Sequence, residues 1–383
     1  MIASGIELNK RLNEFDKSLI TASYFGFVPI VAPRITTQDI EASSHCESHP
    51  HFDATDKASF IRTYIEENFS TLPHPLAFSY KRSIPKKHLD HYSLHIIGSP
   101  SGIAEATLIR TALSMLNEEG YGDLKVNINC IGDKESINSH EKELNNYIRK
   151  LDIEISQATK DSLKEDIFNL FKTNTDEILN LRANAPSAMT SLSYQSRAHF
   201  KEVLEYIETL GIDFQLSPEL LGEKHHSSHT LFAIKENSED ISKSNILASG
   251  YRYSRLAKRL GLRREIPMAS ATLFLPQNEQ KKIYKTIPKP KFYIIQLGRE
   301  ARIKTISIIE LLRQNRIPAY HYLGKDKLGF QLSNAESLNA SHLIIIGQKE
   351  ALENTATVRN ISTRAQDTIG MANLPNFLKN LTI

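Results

Sequence analysis

The chain has 383 residues, of which 40% are hydrophobic and 24% charged, enough to bury two or three globular cores and too apolar for a disordered polymer. Its formal net charge of +3 is too small to demand a nucleic-acid partner by itself. The longest apolar runs, 343–347 and 292–297, fall far short of the roughly 20 residues of a membrane span, and residues 1–11 lack a signal-peptide apolar core, so the expectation is a cytoplasmic protein with no membrane partner.

In chain order, residues 6–25 carry apolar side chains at helical spacing up to Gly26, and 27–31 reads as a short strand stopped by Pro33. Further strands are predicted at 76–80, 92–97, 124–131, 230–234 and 270–275, with helices interspersed among them. Between 136 and 207 the pattern turns charged and amphipathic, with Ile167, Phe168, Leu170 and Phe171 and later Phe200, Val203, Leu204 and Ile207, which predicts a helical insertion. The stretch 284–291, with Pro288, Pro290, Lys285, Lys289 and Lys291, reads as an exposed linker. Beyond it a βαβαβ alternation through 292–297, 301–315, 319–322, 333–340 and 343–347, followed by a final helix, predicts a small α/β domain with a largely parallel sheet. The domain division is therefore 1–285, with the insertion at about 136–207, and 286–383.

Chemistry is sparse by motif. Neither a P-loop, a GxSxG elbow nor a GxGxxG turn occurs, which removes P-loop hydrolases, serine hydrolases and dinucleotide enzymes. Cys46 and Cys130 give no disulfide framework or CxxC pair and are read as reduced thiols. The run His45, Cys46, His49 and His51 lacks the paired spacing that fixes tetrahedral zinc, so it reads as a polar loop and no metal is expected. Cations cluster at Arg252, Arg255, Lys258, Arg259, Arg263 and Arg264, and again at Lys81, Arg82, Lys86 and Lys87; each cluster fits a solvated face as well as an RNA-facing patch.

Gly26-Phe27-Val28-Pro29-Ile30-Val31-Ala32-Pro33 resembles the first signature of class II aminoacyl-tRNA synthetases, which builds a dimer interface. In the same order as the histidyl enzymes come Ile97-Gly98-Ser99-Pro100 with Ala104-Glu105-Ala106, then Ile128 to Asp133, Leu210-Gly211-Ile212, and Gly250-Tyr251-Arg252-Tyr253-Ser254-Arg255-Leu256, similar to GGRYDxL. Leu297-Gly298, Leu311-Leu312-Arg313, Ile344 to Gly347 and the tail from Val358-Arg359 to Gln366 resemble the histidyl-type anticodon-binding domain. The resemblance to class II histidyl-tRNA synthetases thus covers nearly the whole chain. It implies an α+β fold, an antiparallel sheet core with a helical insertion followed by a small α/β anticodon-binding domain. It also implies a homodimer through Gly26, Phe27, Pro29 and Pro33.

The family's chemistry is not matched. Adenylation joins a carboxylate to the α-phosphate of ATP, which needs cations at the developing charge. Between 80 and 92 no F-R-x-E loop is found, and Arg82 is displaced from that position. The glycine-rich third signature is replaced by Ser270-Ala271-Thr272-Leu273-Phe274-Leu275-Pro276-Gln277, with Pro276 and Gln277 where Glu and Arg are expected. The histidine-specific R-G-L-D-Y-Y-T-G aligns with 222–229, where Gly222 takes the arginine's place. What remains as a candidate small-ligand pocket is Asp56, near the family's ammonium-binding acid, with Arg82, His91, His95, His226, Arg252 and Tyr253, and with His225 and His229 close by. The alternative is that these imidazoles are ordinary polar replacements.

The expected function is a non-catalytic, dimeric tRNA- or RNA-binding or regulatory scaffold, with RNA contacts at Arg255, Lys258, Arg259, Arg359, Arg364 and Gln366 and no cofactor. Two alternatives stand beside it. One is a regulatory subunit for ATP phosphoribosyltransferase, with a protein partner; the other is a divergent histidine–tRNA ligase, which alone would require ATP and Mg.

Overall fold

In the computed structural model, which describes residues 12, 14–43, 54–151, 155–172, 175–221, 226–236, 246–262, 264–278, 282–324 and 327–381, strand β1 (Phe15–Asp16) leads into helix α1 (Lys17–Tyr24). Asp16 caps that helix by accepting from the Leu19 N–H at 3.1 Å. Gly26 lies at φ 88°, in the left-handed region, and turns the chain into β2 (Val28–Pro29). That strand is shorter than the expected 27–31, since proline supplies no N–H to extend the ladder. Two helices follow, α2 (Thr37–Ser43) and α3 (Ala54–Glu66).

The hairpin β3 (Leu76–Ile84) and β4 (Leu89–Ile97) keeps continuous antiparallel register from Leu76 opposite Ile97 to Ile84 opposite Leu89. Helix α4 (Ile103–Glu118) leads to β5 (Leu124–Gly132), and the expected helical segment follows as α5 (Lys134–Lys150), α6 (Gln157–Glu165), α7 (Asn169–Lys172), α8 (Asp176–Ala183) and α9 (Tyr194–Thr209). The core closes with β6 (Phe214–Leu216), β7 (Ser228–Glu236), β8 (Ile246–Arg252), α10 (Ser254–Arg259), β9 (Met268–Pro276) and β10 (Ile283–Tyr284), the last paired with β1. The main sheet has the order β2-β3-β4-β9-β8-β7-β5-β6. Its six central strands are antiparallel, and only the short edge strands β2 and β6 join in parallel.

Side chains alternate across this sheet. Leu94, Ile96, Ile128, Phe232 and Leu273 face α1, α4 and α9, whereas Phe78, Tyr80, Ile97, Leu231 and Tyr251 face α3, α10 and α5 to α8. Both faces are therefore roofed by helices. The cover contributed by α3 was not anticipated from the sequence.

After the proline-containing linker come β11 (Phe292–Gln296), α11 (Arg299–Gln314), β12 (Ala319–His321), α12 (Leu328–Ser337), β13 (His342–Ile346), α13 (Gln348–Glu353), β14 (Thr355–Asn360), β15 (Gln366–Gly370) and α14 (Leu374–Asn380). Strands β12, β11 and β13 are parallel, as expected, and an unanticipated antiparallel hairpin, β14 and β15, extends the sheet. One hydrophobic cluster runs across the boundary, from Leu19 and Phe25 to Ile309, Leu312 and Leu378. Among the described residues no helix is long and apolar enough to cross a membrane.

Candidate functional site

Beneath α3 the sheet carries a polar network. Asp56 enters it from the first turn of α3, 5% exposed, and accepts from the Tyr80 hydroxyl at 2.8 Å, the Ser93 hydroxyl at 2.8 Å and Arg82 Nε at 3.1 Å. Burial alone would raise this carboxyl, but the charges of Lys57 and Arg82, with His95 and the Tyr80 bond, hold it below its ordinary value. His95 is stacked on Phe60 of α3 with centroids 3.9 Å apart, and its two ring nitrogens lie 2.6 Å from the Tyr253 hydroxyl and 3.1 Å from the Tyr80 hydroxyl. Burial pushes its pKa down to about 3, which keeps the imidazole neutral. The ammonium of Lys57, 2% exposed, donates to Thr272 at 2.7 Å and lies over the Tyr251 ring.

Four of the expected pocket residues, Asp56, Arg82, His95 and Tyr253, are thus brought together beneath α3 in one hydrogen-bonded network through Tyr80. His91 stands opposite Arg82 in the β3–β4 register with its ring edge-on to Phe274. His226 is fully buried just before β7. His225 and the loop of His45, Cys46, His49 and His51 lie outside the described residues, and Cys130 is a buried free thiol.

Arg252 belongs to a second network. It donates to both Glu105 oxygens, at 2.6 and 2.7 Å, and to the carbonyls of Ser99 at 2.9 Å and Ser101 at 2.8 Å. His199 shares Glu105 at 2.7 Å and lies beside His229. Burial would raise Glu105, yet Arg252 and His199 hold it well below the usual carboxylate range. With four bonds made, this guanidinium is committed to joining β8 to the start of α4.

The positions expected for the second and third signatures are a turn and a strand. Where a second-signature loop would stand, Pro85–Lys87 turns β3 directly into β4, and Arg82 is a strand residue paired with Asp56 at 3.0 Å. The third-signature position is the strand β9, hydrogen-bonded on both edges to β4 and β8. Lys57, Tyr80, Ser93 and His199 were not foreseen as site residues. Only the same-face spacing of Tyr80 with Arg82, and of Ser93 with His91 and His95, carried a signal for them.

Of the expected RNA residues, Arg359 and Gln366 are register partners across the β14–β15 hairpin, and Arg364 lies exposed in its turn at φ 62°. Along α10, Arg255 is half-buried and Lys258 exposed, while the Arg259 side chain and Arg263 are outside what is described. In the expected dimer segment Phe27, Val28, Pro29 and Pro33 are buried within the chain, Gly26 is half-buried, and Val31 is exposed, as are Ile35 and Ile40 just beyond it.

Comparison with known proteins fits this architecture. Residues 291–381 match the anticodon binding domain family. Over 344 residues the chain is 27% identical to the histidine–tRNA ligase of Bacillus licheniformis, covering 85% of this chain and 80% of that protein. It is 24% identical over 337 residues to the histidine–tRNA ligase of Lysinibacillus sphaericus, covering 84% and 79%. The solved apo histidyl-tRNA synthetase of S. aureus shares the fold, with a TM-score of 0.51 at 19% identity over 93% of this chain and 92% of that one. Over most of its length the chain is thus similar to histidine–tRNA ligases, with the fold of a histidyl-tRNA synthetase and a match to the anticodon binding domain family at residues 291–381.

Proposed function

We propose that this chain is a synthetase-like protein that forms no aminoacyl-adenylate and binds RNA through its C-terminal domain. The observation that carries the first half is the roofed sheet face: α3 lies over it, and Asp56, Arg82, Lys57 and His95 are bonded to neighbouring side chains. An adenylation site must keep cations aimed at an incoming phosphate, and each missing charged donor typically costs about a hundredfold in rate. Arg82 and Arg252 are the cations nearest the expected positions, and both are spent on buried carboxylates.

RNA binding is supported by the family of residues 291–381 and by charge. This stretch holds twelve Lys and Arg against seven Asp and Glu, so the chain's cationic excess lies here. Arg359, Arg364 and Gln366 gather on one hairpin. The protein is further proposed to be a homodimer, with Val31, Ile35 and Ile40 as apolar surface beside the edge strand β2.

The test is histidine-dependent ATP–pyrophosphate exchange alongside retention of bulk tRNA on filters at about 50 mM salt, where electrostatic binding is strongest. No exchange with retained tRNA is expected. Exchange at a synthetase-like rate overturns the first half, and loss of all tRNA overturns the second in favour of a protein-directed regulatory role.

A further inference from the structure

The C-terminal domain meets the core through two sets of contacts that the proposed function leaves unused. At one, an ion network crosses the interface. Arg313 on α11 bonds Glu310 at 2.7 and 2.8 Å and reaches across to Glu118, at the end of α4, at 2.5 Å. Glu118 also takes Lys17 of α1 at 3.0 Å, and Ser114 of α4 donates to Glu310 at 3.0 Å. The Glu310 and Arg313 side chains are 8% and 5% exposed, so this pair at the centre of the network is largely shielded from solvent ions.

At the other, the segment after β12 crosses the turn before β3. The Tyr322 hydroxyl donates to the His74 carbonyl, and a Cβ on Gly324 would stand 2.4 Å from Pro75, an approach that only glycine allows. The His74 ring lies 2.8 Å from the hydroxyl of Tyr64, a fully buried residue of α3, and packs on Gly98, where a Cβ would come within 2.6 Å. His74 therefore touches the C-terminal domain with its carbonyl and the roofing helix with its ring.

We propose that docking of the C-terminal domain holds α3 down on the sheet face, with His74 as the positioning residue between Tyr322 and Tyr64 and with the Arg313 network fixing the docked position. Displacing the domain from His74 loosens α3 and uncovers Asp56 and Lys57. The inference rests on the roofed face described above and is independent of what the C-terminal domain binds.

Hydrogen exchange of the full-length chain, read by mass spectrometry, tests this. Tyr322→Phe removes one hydroxyl and should raise exchange across residues 57–66 by roughly five- to tenfold while leaving α9 unchanged, as expected for losing about one hydrogen bond from a local opening. Arg313→Met should do the same, and adding Glu310→Gln, which removes the buried carboxylate that loses both of its Arg313 bonds, should return α3 toward wild type. Unchanged exchange in α3 for Tyr322→Phe, or an equal rise in α9 that marks general destabilisation, overturns the coupling. Pyrophosphate exchange by the wild type would instead strike the proposed function and leave these exchange ratios untouched.

Discussion

Replacing Arg252 by Leu separates a structural arginine from a ligand-binding one. The guanidinium makes four bonds, and its removal leaves Glu105, 1% exposed at the side chain, with His199 alone and strips partners from the Ser99 and Ser101 carbonyls. Breaking a buried pair by removing one member costs about 3–5 kcal/mol, a large share of the 5–15 kcal/mol typical of a folded chain. Urea denaturation at pH 7 should register a loss of about 4 kcal/mol. Arg252→Leu with Glu105→Leu should recover at least about half of it, because no charge is then stranded. The pH dependence carries its own sign. In the wild type the depressed Glu105 contributes stability that is present above pH 4.5 and lost as pH falls through its lower folded pKa. Without Arg252 burial dominates and the carboxyl's pKa rises, so the variant's deficit should narrow between pH 7 and pH 5. A loss under about 1 kcal/mol, or a coupling energy near zero, would refute the assignment.

Three further outcomes follow from the same contacts. Burial lowers His95 and His321 to about 3 and His140 to about 4 from an ordinary 6.5, so stability should be full above pH 6.5 and fall below it, by about 1.4 kcal/mol per imidazole per pH unit, until each folded pKa is reached. His140→Phe, which fills a site beside Phe168 and Phe171, should make that fall shallower; an unchanged slope in acid denaturation would contradict it. Arg359→Ala with Arg364→Ala should reduce the slope of log affinity for tRNA against log salt by about 2 without lowering the melting temperature, and an unaltered slope would remove the hairpin from the RNA surface. Ile40→Glu should shift the protein to monomers in light scattering at micromolar concentration; an unaffected dimer would place the contact elsewhere.

The sheet core was legible wherever one face is apolar, as in Leu124–Gly132 and Met268–Pro276, because alternation survives in the residue types. It failed at residues 81–91, where Lys81, Arg82, Ser83, Lys86 and Lys87 read as loop although register pairing carries both strands to Ile84 and Leu89. It failed again at β14 and β15, whose outer residues are polar because one face meets solvent. Helix α3 was hidden for a different reason: it turns Asp56 and Lys57 inward, and a buried charged pair erases the apolar stripe that reveals a helix. The partners that satisfy those charges, Tyr80, Ser93 and Thr272, come from strands distant in sequence. No local spacing could announce that Asp56 and Lys57 would meet these partners.

The proposal that this chain forms no aminoacyl-adenylate, the sheet face beneath α3 being filled by its own side chains, is tested most directly by calorimetric titration of the full-length protein with a non-hydrolysable histidyl-adenylate analogue. The account predicts no heat of binding at about 100 μM analogue, a concentration at which any Kd near 1 μM would saturate the site. Saturable binding with one analogue per chain, abolished by Asp56→Asn, would contradict it.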